Sequence, residues 1–361
     1  MTKLALVDLI ALLALLSCGR QAHAPNGPVG LFPVRVGDKW GYVDVTGKLA
    51  VKPQFAAAYG FAEGLAPVAS AGNFGFIDRT GRFIIKPRFD EYRPFEQGMA
   101  AVKADGKWGW IDKTGKYVID PQFDGVSGFH DGLAAVMVEG RWGFVDKTGK
   151  PVVEPQFDQY LDFSEGLAGV ATYYKWRYID TTGNMVINPL FQYAMPFSEG
   201  LAAVRVDGKF GFIDKTGAQV IAPQFDAAQS FADGRARVLT GDRWVYIDRT
   251  GKRVTSQLFE QTTDFVAGLA AVCVGGEWGY IDTTGKMAIS PQFDDVTAFS
   301  EGLAAVKVGA KWGYVDGTGK LVIGPQFTDA GSFAGGLVYV GDSAGQGYVD
   351  KSGKYVWGPT K

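Results

Sequence analysis

One aromatic slot returns every 34 residues without insertion or deletion, and that period constrains the chain more than any other feature. The slot holds Trp40, Phe74, Trp108, Trp142, Trp176, Phe210, Trp244, Trp278, Trp312 and finally Gln346. Four residues later every copy carries Asp, from Asp44, Asp78 and Asp112 to Asp350. Ten copies of one unit therefore fill residues 29–361. Self-similarity at a fixed period marks a repeat array, in which each unit buries its apolar face against its neighbours. A length of 361 residues, which alone suggests two or three domains, is read here as a single array preceded by a short leader.

The unit is clearest over residues 98–131. An apolar stretch, Gly98-Met99-Ala100-Ala101-Val102-Lys103, meets Asp105-Gly106, and Lys107-Trp108-Gly109-Trp110-Ile111-Asp112 follows. Asp-Gly between two apolar segments is a hairpin signal, because a type I′ turn needs positive φ at both central residues. Lys113-Thr114-Gly115 then makes a second turn. The Asp112 carboxylate is placed to accept backbone N–H groups, and Gly47, Gly115 and their equivalents take the left-handed position. Three short strands joined by two tight turns are expected in each unit. A 34-residue period also belongs to tetratricopeptide helix pairs, but several glycines and a proline per unit exclude helices. The column from Val43, Ile77 and Ile111 to Val349 is strand composition. Side chains alternate along the middle strand. Trp40, Tyr42 and Asp44 then lie on one face and Val43 on the other, so both faces should be covered. Phe55, Phe61 and their equivalents are the expected plugs between units.

Lys311-Trp312-Gly313-Tyr314-Val315-Asp316 closely resembles the motif of the bacterial WG (or KWG) repeat family, and the resemblance extends over all ten units. Departures are local. Arg177 and Val245 replace the Gly after Trp, and Gln346 ends the aromatic column. Arg235, Arg237, Thr255 and Gln257 gather in the seventh unit, which should pack most weakly. The expected architecture is all-β, ten 34-residue three-stranded meanders in tandem. An open solenoid or superhelix is favoured over a closed β-propeller, because neither terminus supplies a strand that would complete the other's unit.

Residues 1–17 read as a signal peptide. Lys3 precedes an apolar run from Leu4 to Leu16, broken by Asp8 and too short for the roughly 20 residues a spanning helix needs. Leu15-Leu16-Ser17-Cys18 resembles a lipobox, which implies lipidation of Cys18 with residues 18–28 as a tether. Ala22-His23-Ala24 offers a second cleavage point before Pro25. The resulting expectation is an exported, membrane-anchored lipoprotein, in the outer membrane of a two-membrane cell. A soluble periplasmic or secreted protein is the alternative. Cys273 sits in a slot that elsewhere holds Arg35, Lys103, Arg205 or Lys307, which places it near the surface and argues against a disulfide framework.

Chemistry has little to build on. With 36 basic and 38 acidic residues well mixed, no global field favours nucleic acid. His130 is the sole histidine of the array, so no triad or metal cluster is expected, and one Asp per turn lacks the oxygens calcium wants. No enzyme and no cofactor are expected. The Tyr42 column also holds Phe76, Trp110 and Phe144, so packing explains it. Two basic columns, Lys39 to Lys311 and Lys48 to Lys354, should run beside acids such as Glu63, Glu165 and Glu301 and pair with them. The expected role is a non-enzymatic envelope scaffold offering a repeat surface to a protein partner, touching membrane only through the lipid. Binding of cell-wall polysaccharide or peptidoglycan by aromatic platforms is the alternative. Scaffold slots keep their residue, so specificity should lie in the variable ones: Lys52, Asp120, Asn188 and Gly324 before the Pro, and Tyr59, Arg93, Leu161 and Gln229 between the Phe pair. Tyr160 joins them as an aromatic candidate.

Overall fold

The structure, a computed structural model, describes residues 30–360. The expected signal peptide, the expected tether and Cys18 lie outside the described residues. Ten antiparallel sheets follow one another, each a meander of consecutive strands. The first holds Phe32–Val36, Lys39–Val43 and Leu49–Phe55. The second adds a short leading strand, Ala57–Ala58, before Ala66–Ser70, Asn73–Ile77 and Phe83–Phe89. Eight of the ten sheets have this four-stranded form, one strand more than the sequence predicts. The extra strand is mostly two residues long, below the length at which alternation is readable.

The glycine after each Trp has a geometric cause. Trp108 pairs with Phe123 and Trp110 with Ile119, so the trailing strand bulges over Gly109. A Cβ there would sit 2.4 Å from the Ile119 carbonyl oxygen and 2.7 Å from the Pro121 nitrogen. Two units lack that glycine: the fifth, with Arg177, keeps its trailing strand Met185–Phe191, whereas the seventh loses it. Val245 occupies the slot, and the sheet has three strands with only isolated bridges, Trp244 to Phe259 and Ile247 to Arg253, beyond them. Limited trypsin digestion should therefore nick the chain first at Lys252 or Arg253, both exposed. The nicked protein should stay assembled, because each fragment keeps neighbours on both sides. A first cut in another unit would overturn this assignment.

Blades meet through side chains rather than strand pairing. The Tyr42 ring meets Phe61 of the next unit edge-on at 5.1 Å, and Phe76–Phe95, Tyr178–Phe197 and Tyr314–Phe333 repeat the contact at 5.0 Å. Where the column is Tyr, the buried hydroxyl reaches across the boundary. It donates from Tyr42 to the Tyr59 carbonyl (2.8 Å) and from Tyr178 to the Met195 carbonyl (2.7 Å).

The favoured open solenoid is corrected by the tenth boundary. Phe32, Val34 and Val43 of the first unit form one buried cluster with Leu337 of the last, and Tyr348, Val356 and Trp357 pack against it. The Tyr348 hydroxyl donates to the Pro33 carbonyl at 3.2 Å. The chain is a closed ring of ten blades, a β-propeller. Strand exchange is not required, because every other boundary is already made by side chains. The closing contact has its own residue. The slot equivalent to Phe61 holds Gly27 in the first unit, whereas Phe32 fills a slot that is Ala66, Ala100 or Ala134 elsewhere. The Phe32 ring stands 5.2 Å from Tyr348, doing at the seam what the corner phenylalanines do elsewhere.

Candidate interaction surface

Antiparallel pairing sorts the connections onto two faces. The Asp-x-Thr-Gly turns and the loops carrying the corner phenylalanines share one, and the Asp-Gly hairpins and strand corners share the other. On the first face each Asp caps its turn as expected. Asp44 Oδ1 accepts from the Thr46 amide (2.8 Å), the Thr46 hydroxyl (2.6 Å) and the Lys48 amide (3.1 Å). Asp112 does the same with Thr114 and Lys116, and Asp350 with Ser352 and Lys354. The hydroxyl bond, helped by the amides, holds each of these carboxyls below its ordinary value, in all ten units. A folded-state value below the unfolded one contributes stability above the unfolded value of about 4, and that stability disappears as pH falls through the folded value. Acid titration by circular dichroism should thus show the Thr114→Val variant losing less stability than wild type between neutral pH and pH of about 3. Equal losses would contradict the cap.

The acidic column also pairs, but not with the two basic columns expected. Glu63 accepts from the next unit's Gly98 amide at 3.0 Å and pairs with Lys113 at 3.0 Å. Glu165 pairs with Lys215, and Glu301 with Lys351. These acids clamp one blade to the next. The column that begins at Lys39 works on the opposite face. Lys107 pairs with Asp124, Arg141 with Asp158 and Lys209 with Asp226. The same aspartates cap hairpins, Asp124 taking the Glu139 amide at 2.9 Å and Asp158 the Tyr173 amide at 2.7 Å. In the column from Lys48 to Lys354 the side chains are exposed, with Arg82 bonded to Asp78 at 3.4 Å.

Lys52, Asp120, Asn188 and Gly324 lie exposed on trailing strands. Tyr59 is exposed but its ring meets Tyr92 at 5.6 Å, and Tyr160 is half-buried with its ring 4.4 Å from Trp142. Arg93 donates to the Val126 carbonyl and lies over Trp108. Leu161 packs beside Gly169, and Gln229 is half-buried. These slots form two sets, one along the strands and one at blade boundaries. Cys273 is buried, not superficial. Its thiol faces Glu260 at 3.7 Å, and burial followed by that carboxylate pushes it up. A slot that accepts Lys by extending the side chain outward can also bury a small thiol. Among the described residues no group of three or more His, Cys, Asp or Glu is placed to hold a metal ion. The most exposed aromatics, Tyr173 and Tyr174, lie outside the variable slots named from the sequence. Their signal was an aromatic pair in a hairpin slot where Gly usually stands.

The pattern of the WG containing repeat matches nine consecutive stretches, 40–72, 74–108, 108–142, 142–176, 176–210, 210–244, 246–278, 278–312 and 312–340. No curated protein matches this chain. Among solved structures, a eukaryotic initiation factor is similar at 12% identity over 82% of this chain and 95% of that one, with a TM-score of 0.53, a likeness of fold. BamB from Moraxella catarrhalis is more remotely similar, at 14% identity over 80% of this chain and 92% of that one, TM-score 0.33.

Proposed function

We propose that this chain, which belongs to the family of proteins built from WG-containing repeats, is a non-enzymatic scaffold that offers the faces of its ring to a protein partner in the cell envelope. The observation that carries the reading is the division of labour within the unit. Trp, Gly, Asp and corner Phe slots are consumed by turns and blade contacts, while exposed slots such as Lys52, Asp120, Asn188 and Gly324 change from unit to unit. A rigid frame with variable exposed positions suits recognition. Export with lipid on Cys18 belongs to the same reading, and mass spectrometry of the mature N-terminus tests it. A chain beginning at Pro25 without lipid would replace the anchor by a soluble form. The function itself is tested by pull-down from envelope extracts beside sedimentation with purified peptidoglycan. Saturable capture of a protein partner supports the scaffold. Sedimentation with peptidoglycan and no protein capture would move the assignment to wall binding.

A further inference from the structure

The fifth unit departs from the other nine at several positions, and the departures meet in one place. Its hairpin tip is Tyr173-Tyr174, where other units carry Asp105-Gly106, Glu139-Gly140 or Gly275-Gly276. Both tyrosines have positive φ, 51° and 58°, as the turn demands. For bulky residues that conformation is an outlier, tolerated where the surroundings enforce it and concentrated at functional sites. The enforcement is visible, since Asp158 takes the Tyr173 amide while bound to Arg141. Despite this cost the rings are not packed away, and they stand 79% and 76% exposed.

Behind the tip lies a recess of about 370 Å³ between the fourth and fifth blades, walled by Phe157, Val170, Met185 and Leu190. Leu190 replaces the Gln of most units, for example Gln122 or Gln156, and is half exposed. Two cations line the same recess, Lys175 and Arg177. Neither forms an ion pair among the described residues. The slot that supplies Asp124 to Lys107 and Asp158 to Arg141 supplies Gln192 to Lys175, and Gln192 is turned to the Gly208 amide at 2.8 Å. Arg177 stands where Gly is the rule, and its Nε is buried without a hydrogen-bond partner. A buried donor left unmade is costly unless something completes it.

We infer that this recess and its tyrosine tip are the docking site for an acidic peptide segment of the partner, with a large apolar side chain seated against Leu190 and a carboxylate on Arg177 and Lys175. The inference rests on the protein-scaffold reading. Exposed aromatics around an apolar pocket are the anchors that dominate peptide binding, and an arginine fork matches a carboxylate. A glycan would use the rings but leave both cations unpaired.

The test uses a displayed library of random peptides selected on the full-length protein, with the enriched sequences synthesised and titrated. Enrichment of acidic sequences containing Leu, Phe or Trp is expected. Affinity should fall by at least about tenfold in Y173G/Y174G and in R177Q. Because glycine fits positive φ without strain, Y173G/Y174G should also melt at a higher temperature than wild type, so lost binding cannot be assigned to unfolding. Neutral or basic enriched sequences, or unchanged affinity in both variants, would overturn the site. So would a chitin oligosaccharide that binds in place of peptides. If envelope proteins are captured equally by wild type and Y173G/Y174G, this site falls while the scaffold stands. Capture by neither sinks the reading on which it rests.

Discussion

Replacing Phe32 by Ala should cost about 3–5 kcal/mol in denaturant unfolding, the usual range for a fully buried Phe. Phe32 is 4% exposed, and it touches both ends of the chain at once. The substitution restores the residue type found at Ala66 and Ala100, which the equivalent strand position accepts in those blades. What disappears is the ring against Tyr348. The loss should therefore appear as separation of the first and last blades, read by hydrogen exchange in residues 32–43 and 337–350, before the middle of the array opens. A loss below about 1 kcal/mol, or uniform exchange across all blades, would show that closure does not depend on this contact.

The second large effect concerns the glycine that follows each Trp. In Gly313→Val the new Cβ would lie 2.5 Å from the Ile323 carbonyl oxygen, with the Pro325 nitrogen at 2.9 Å. The trailing strand Leu321–Phe327 has no room to accept it. The ninth blade should then take the form of the seventh, where β-branched Val245 stands beside a segment without its strand, and not of the fifth, which keeps Met185–Phe191 beside the unbranched Cβ of Arg177. A cost of about 3 kcal/mol is expected, the upper end for forcing atoms into a packed core. Amide protection should be lost between Leu321 and Phe327. If that strand keeps its protection, the bulge is not the reason for glycine.

Much of this was legible in the sequence because it is local. Asp44 and Thr46 are two residues apart and form their turn whatever the units do globally. Asp105-Gly106 specifies its hairpin in the same way. Closure was not legible, because it depends on a small rotation between neighbouring blades summed over the ring, and no residue encodes that sum. The lack of a strand to exchange points to an open array only if strand pairing makes the boundaries, and Phe32 in an Ala slot marks the seam locally without specifying the number of blades. The ion pairs depart from the expected columns for a related reason. Glu63 reaches Lys113 on the next blade, and only the packing of one blade against the next brings them together. Tyr173 and Tyr174 do not stand out along columns of side chains, because their peculiarity is a backbone requirement, a positive φ that tyrosine meets poorly.

Small-angle X-ray scattering of the intact protein tests closure most directly. A compact fold of this length should have a radius of gyration of about 20 Å. Ten sheets stacked in an open line at about 10 Å spacing would stretch over roughly 100 Å and give about 30 Å. The ring predicts a value in the low twenties with a pair-distance curve that falls to zero well short of 100 Å. A radius near 30 Å with a long tail would contradict it.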